Sequence, residues 1–253
     1  MSWADQLAVL AAGLGAGVLT STVGVASLLS FPVLVAVGLP PVVANTSNTV
    51  GMTPAGLSGS FGYRRELAEH PAVTIAVLLT AAGGSIVGSL LLLRLPGSVF
   101  EAVIPWLILG TCVLVGVQPR LSRLLRQHAT DDEPRVRMSG LTGVFATLTG
   151  VYGGYFGAGS GVMMMAVLGL GTDLEFRTIN ALKTFAVMAS NVVATVIFLA
   201  IADLDWRAVG LLAGGSVVGG YVGARIGRLL PATVLRTLIV VVGISAAILM
   251  LVR

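Results

Sequence analysis

Apolar residues run through this chain in long stretches, separated by short charged or proline-containing interruptions. The stretches cover roughly 7–38, 39–62, 71–93, 98–117, 139–170, 178–201, 207–224 and 230–252. A helix that crosses a bilayer takes about 20 residues, within a range of about 17–25. Most of the stretches therefore predict one crossing each. The first and the fifth are too long for one helix and too short for two comfortable crossings. Small residues interrupt both, at Thr20-Ser21-Thr22-Val23-Gly24 and between Gly153 and Gly161. Irregular backbone at membrane depth is tolerated only where protein buries it or a cavity solvates it. Each of these two segments predicts a helix, a break and a short second helix, a broken or re-entrant pair.

The pattern repeats. Asn45 and Asn180 lie 135 positions apart, and the same offset pairs Val9 with Val144, Gly15 with Gly150, Gly24 with Gly159, Thr49 with Thr184, Gly84 with Gly219 and Pro96 with Pro231. One ungapped register over both halves reads as a duplicated unit, and weak internal symmetry of this kind marks many transporter folds. The expected division is a first membrane repeat at 1–117, a cytoplasmic Arg-rich linker at 118–138 and a second membrane repeat at 139–253. The linker carries Arg120, Arg123, Arg126, Arg135 and Arg137 beside Asp131, Asp132 and Glu133.

Charge then orients the repeats. With the linker inside and each broken segment re-entrant, each half crosses three times and the halves are inverted, leaving 11 arginines inside and 3 outside. Four crossings per half make the halves parallel and the split 9 to 5. The positive-inside rule prefers the inverted arrangement, and the acidic Asp203-Leu204-Asp205 loop then lies outside. The fold class expected is an all-α polytopic membrane protein of two repeated, inverted halves. Each half has a broken or re-entrant first helix followed by three membrane-spanning helices.

Composition closes off other classes. Hydrophobic residues make up 56% of the chain and charged ones 10%, against about a quarter charged in soluble domains. The net charge of +4 comes from arginines spaced between apolar runs, so no nucleic-acid face is expected. The single cysteine, Cys112, permits no disulfide within the chain, and no metal cluster or cofactor is expected. No basic region precedes the first apolar run, so a cleaved signal peptide is not expected either.

None of the carboxylates lies deep inside an apolar run, and Glu101, near the start of its run, comes closest. Intramembrane Asp and Glu usually serve proton relays and cation sites, so their absence argues against both and against acid–base hydrolysis. His70 and His128 fall in loops. The runs contain donors instead, at Asn45-Thr46-Ser47-Asn48-Thr49 and at Asn180-Ala181-Leu182-Lys183-Thr184, where Lys183 is the only lysine. On a helix Asn180, Lys183, Thr184, Val187 and Asn191 share one stripe, as do Asn45, Asn48, Thr49 and Met52. Such side chains also glue membrane helices together, and lysines also snorkel to the interface. A helix that starts at a glycine-rich break, however, presents unpaired N–H groups and a positive dipole end to an anion. The residues expected to bind substrate are Thr22, Gly24, Asn45, Ser47, Asn48, Thr49, Tyr155, Gly157, Gly159, Asn180, Lys183, Thr184 and Asn191. Sulfite, sulfonate or carboxylate groups suit such donors. A side chain added at Gly24 or Gly159 is expected to block the site with little unfolding.

The segment GVYGGYFGAGSG at 150–161, followed by Asn180-Ala181-Leu182-Lys183-Thr184 and Ser190-Asn191, resembles the second-half signature of the TauE/SafE family of sulfite and organosulfonate exporters. Asp203-Leu204-Asp205-Trp206, Gly219-Gly220-Tyr221-Val222-Gly223 and Leu229-Leu230-Pro231 continue the likeness over almost the whole chain. The first half departs from it, with Ser21 to Ser27 in place of a glycine run and Ala44-Asn45-Thr46-Ser47-Asn48 in place of an Ala-x-Gly-Thr-Ser motif. The resemblance implies a secondary transporter of the cytoplasmic membrane that exports a small sulfur-containing anion. The alternatives are uptake of a sulfonate or other organic anion, a non-transporting membrane scaffold and, weakest, an intramembrane enzyme. The partners expected are the lipid bilayer and a small anionic substrate, with no nucleic acid and with a homodimer allowed.

Overall fold

The computed structural model describes residues 1–22, 25–127, 137–226 and 232–252. Among them the chain is helical throughout and contains no strand. The first long apolar stretch divides into α1 (Trp3–Thr22) and α2 (Ser27–Ala36), and the fifth into α7 (Gly140–Tyr155) and α8 (Ser160–Gly171). At about 1.5 Å per residue, the 10 residues of α2 and the 12 of α8 reach only about half of a hydrocarbon core roughly 30 Å thick.

The remaining helices are α3 (Pro41–Gly62), the short α4 (Arg64–Glu69), α5 (Pro71–Arg94), α6 (Gly97–Gln127), α9 (Phe176–Ile201), α10 (Trp206–Ile226) and α11 (Ala232–Val252). Pro41 and Pro71 occupy the first helical position, where a missing N–H leaves no hydrogen bond unmade and the fixed φ suits the helix. Ser139 caps α7 by accepting the Thr142 amide at 3.1 Å. Helix α6 does not stop where the apolar run does. It continues to Gln127 because Leu121, Leu124 and Leu125 alternate with Arg120, Arg123 and Arg126 at helical spacing, and both residue types favour helix.

Among the described residues, four stretches are long and apolar enough to cross a membrane: Trp3–Thr20, Pro71–Arg94, Gly97–Leu121 and Phe176–Ile201. Large apolar side chains such as Leu79, Val113, Leu148 and Val196 stand exposed on the outside of the bundle, the surface that lipid covers. Helix α3 is long but polar, and its Asn45, Thr46, Ser47 and Asn48 are each at most 1% exposed. Protein rather than lipid surrounds them. The chain is a multi-pass, all-α membrane protein.

Helices α3 and α9 cross through the centre in opposite directions. Thr46 Oγ1 donates to Asp203 O at 3.1 Å and the Asp205 amide to Ser47 Oγ at 2.9 Å. At the far end of α3, Ser60 Oγ reaches Thr184 O at 3.5 Å and Asn180 Nδ2 donates to Tyr63 OH at 3.0 Å. Just beyond, Glu66 of α4 takes Arg177 Nε at 2.8 Å and Nη2 at 2.5 Å, tying the α3–α5 connection to the first turn of α9.

The outer helices pair across the sequence. Helix α1 lies parallel to α10, and a Cβ at Gly17 would run into Ser216 O, one at Gly219 into Leu14 O. Helix α5 lies parallel to α7, and a Cβ at Gly84 would meet Thr147 O, one at Gly88 Val151 O. Without side chains the backbones approach closely, which is how small residues bring membrane helices together. The starts of α3 and α9, of α5 and α10, and of α6 and α11 each lie 135 residues apart.

Candidate functional site

Between the two breaks lies a cavity of about 60 Å³. From the first part of the chain it is lined by Thr20, Val25, Ala26 and Ser27, around the end of α1 and start of α2, and by Met52 and Gly56 of α3. From the second part come Gly157, Ala158, Gly159 and Ser160, between α7 and α8, and Val187 and Asn191 of α9. Met52 and Val187 are related by the 135-residue offset, and so are Gly56 and Asn191. No lining side chain carries a charge.

The α7–α8 break is built by glycines. Gly157 at φ 81° and Gly159 at φ 78° hold left-handed conformations that side chains disfavour. Helix α7 ends as the Phe156 and Gly157 amides both bond Tyr152 O at 3.0 Å, and α8 begins as the Val162 amide bonds Gly159 O at 2.9 Å. Ser160 Oγ folds back onto Gly157 O at 2.9 Å. The amides of Ala158 and Gly159 make no hydrogen bond among the described residues. They are donors at the positive end of α8, on the cavity wall.

Lys183 lies beside this turn. A Cβ on Gly161 would sit 3.6 Å from Lys183 Cγ and 3.7 Å from Cδ, so the lysine stem runs along the first turn of α8. No carboxylate among the described residues pairs with its ammonium. Asn191, one turn past Val187, brings an amide to the cavity wall that is not hydrogen-bonded among the described residues.

Of the residues expected from sequence, Gly157, Gly159 and Asn191 line the cavity. Lys183 flanks it. Asn45, Ser47, Asn48 and Asn180 instead bond to other elements of the fold, and Thr49 and Thr184 bond back within their own helices. Asn45 Nδ2 donates to Tyr155 O at 3.0 Å, leaving Asn45 Oδ1 buried without a partner. Asn48 Oδ1 accepts Ser30 Oγ at 2.6 Å, and Ser47 accepts the Asp205 amide. Thr49 and Thr184 donate back to Asn45 O and Asn180 O, at 3.0 and 2.8 Å. Gly24 lies outside the described residues, as does the side chain of Thr22. The expected tolerance of a side chain at Gly159 is not met: besides the positive φ, its Cβ would lie 2.5 Å from Thr111 Cγ2. The donor pattern does not mark Met52, Gly56 or Val187, which also line the cavity. The first and last sit on the predicted stripes but carry no donor, and Gly56 is marked only by its register partner Asn191.

Residues 9–250 match the sulfite exporter TauE/SafE family. The chain is 30% identical over 237 residues to "Probable membrane transporter protein ORF9" of Sinorhizobium sp, covering 92% of this chain and 87% of that protein. It is 28% identical over 244 residues to a "Probable membrane transporter protein" of Haemophilus influenzae, covering 94% and 91%. It is also 28% identical over 219 residues to "Probable membrane transporter protein YfcA" of Escherichia coli K12, covering 84% and 75%. No solved structure matches the chain significantly. A membrane-buried bundle with a small uncharged cavity between two helix breaks, matched along nearly its full length, belongs to the TauE/SafE family of membrane transporters.

Proposed function

We propose that this transporter exports a small sulfur-containing anion, sulfite or an organosulfonate, through the cavity between the two breaks. One observation carries the reading: the wall offers hydrogen-bond donors, the Ala158 and Gly159 amides, unbonded among the described residues, and the amide of Asn191, and no carboxylate. A compact anion with several acceptor oxygens complements such a wall, and a cation does not. Lys183, with its stem on the first turn of α8, supplies the neutralising charge from the flank of the site.

The two halves act as inverted repeats, 1–117 and 139–253 joined by the linker. The antiparallel course of α3 and α9, equivalent under the 135-residue offset, supports this. So does the lining, to which both halves contribute one break and one pair of central-helix residues. Inverted repeats present the same site to either face by rocking. The membrane potential, negative inside, favours outward movement of an anion by about 2.3 kcal/mol per charge per 100 mV, so export requires no coupling cation.

The test is efflux of labelled sulfite and of a short alkanesulfonate from proteoliposomes, with a potential imposed negative inside. Efflux should rise with the potential and vanish in Gly56→Leu, which fills the cavity. Folded protein that moves neither anion, or a Gly56→Leu variant that transports normally, overturns the assignment.

A further inference from the structure

We infer that Tyr152 and Thr111 are positioning residues of the transport site, holding the Ala158–Gly159 peptide so that its N–H faces the cavity. The inference rests on the cavity being the substrate site, and it concerns two side chains that do not line it.

The geometry is a small hydroxyl clamp. Tyr152 OH lies 2.7 Å from Ala158 O, Thr111 Oγ1 lies 3.1 Å from the same oxygen, and the two hydroxyls are 2.9 Å apart. Thr111 also reaches Leu107 O at 2.8 Å. Two hydroxyl protons thus face several acceptors. The shortest contact to the carbonyl gives the phenol proton to Ala158 O and leaves Thr111 to donate to Leu107 O. Thr111 stays within reach of the carbonyl as a reserve donor. Phe156 packs edge-on against the Tyr152 ring at 6.3 Å and keeps the phenol in place.

The carbonyl of Ala158 and the N–H of Gly159 belong to one planar peptide unit and point in opposite directions. Fixing the oxygen toward α6 and α7 therefore turns the N–H away from them. Thr111 Cγ2 also fills the space where a Cβ of Gly159 would stand, so the peptide is backed as well as bonded. Without the clamp, this peptide, with the left-handed Gly159 on one side, has room to flip and present its oxygen, an acceptor, to the anion.

The device is one-sided. Under the 135-residue offset Tyr152 corresponds to Gly17 and Thr111 to Ala246, neither of which has a hydroxyl.

The experiment measures sulfite KM and kcat in proteoliposomes for Tyr152→Phe, Thr111→Val, Thr111→Ser and the double variant Thr111→Val/Tyr152→Phe, with Gly56→Leu in parallel. Because either hydroxyl can reach the carbonyl, each single loss is expected to be partly covered. The double variant should raise KM about tenfold, the worth of about 1.4 kcal/mol, with kcat per folded molecule kept. Thr111→Ser, which retains the hydroxyl, should match the parent. A merely structural role lowers the yield of folded protein and leaves KM unchanged. If Gly56→Leu is inactive while the double variant keeps the parental KM, the positioning role is overturned and the site stands. If Gly56→Leu transports normally, the site itself is misplaced and the clamp has nothing to position.

Discussion

Thr53 and Thr195 meet hydroxyl to hydroxyl at 2.8 Å where α3 crosses α9, one residue along from Met52 on the cavity wall. Thr53 spends its own proton on Thr49 O at 2.8 Å, so Thr195 is the donor between them. The contact ties the two central helices next to the cavity. A double-mutant cycle with Thr53→Val and Thr195→Val, read by thermal unfolding in detergent, should give a coupling of about 0.6 kcal/mol and no more than about 1.7, the range for hydrogen bonds between membrane helices. A coupling of zero removes the tie.

Gly56 and Gly159 should respond oppositely to a side chain. Nothing stands closer than 4.0 Å to a Cβ at Gly56, and replacing a helix-interior glycine gains up to about 1 kcal/mol of helix propensity. Gly56→Leu should keep or raise the melting temperature while abolishing flux. Gly159→Ala should lower the melting temperature, because a left-handed φ costs a side-chain-bearing residue about 1–2 kcal/mol and Thr111 Cγ2 occupies the space. Equal melting temperatures for the two variants contradict this geometry.

Lys183→Met keeps most of the apolar stem against Gly161 and removes the cation. Affinity for sulfite should fall by the worth of a charge-assisted hydrogen bond, about 1.5–3 kcal/mol or roughly 10- to 150-fold. Lys183→Arg should retain part of it, since the charge stays and the fork changes the geometry. Binding within twofold of the parent for Lys183→Met, on equal amounts of folded protein, makes the lysine an interface anchor.

The Glu66–Arg177 pair makes a pH prediction. A backbone hydrogen bond at Glu66 holds its carboxyl below the ordinary glutamate range, burial opposes this, and the Arg177 guanidinium lowers it further. A depressed folded-state value means the stabilisation is complete above the unfolded value of about 4.3 and is lost as pH falls through the lower folded value. The difference in melting temperature between parent and Glu66→Gln should therefore be constant near neutrality and shrink below about pH 4. Arg177 is 77% exposed, so salt should reduce the difference too. A difference that grows on acidification reverses the sign and refutes the pairing.

The proposed inversion of the halves carries a topology that can be tested. In a Cys112→Ala background, a cysteine at Ser2 should react with an impermeant maleimide from outside the cell and one at Arg137 only from inside. Labelling of Ser2→Cys only from inside, the same side as Arg137→Cys, returns the halves to a parallel arrangement.

Much of this was legible in the chain. Both helix breaks follow from stretches too long for one crossing, and the offset that pairs Asn45 with Asn180 also spaces the starts of the central helices. The cavity wall was less legible. A donor at depth announces polarity but not its partner: Asn45 donates to Tyr155 O, 110 residues away, and Asn180 donates to Tyr63, 117 away. Such bonds convert apparent binding groups into helix ties, and only the fold reveals them. Gly56 carries no chemistry of its own, so its value as open space appears once Asn191 is seen on the same wall. The extension of α6 past its apolar stretch was not legible either, because charge changes at a membrane boundary while helix propensity does not.

The packing of α1 on α10 sets an order of events during synthesis. The glycine face of α1 finds its partner only after the ribosome has added the more than 180 residues that separate Thr22 from Trp206. At about 5–20 residues per second, that wait is roughly 10–40 seconds. Until then a helix with close-packing small residues stands in the bilayer with its contact face turned to lipid or to whatever neighbour lies nearest. Helix α5, by contrast, meets α7 after a much shorter interval. The α5–α7 pair therefore assembles first, and the growing chain closes around it when α10 arrives.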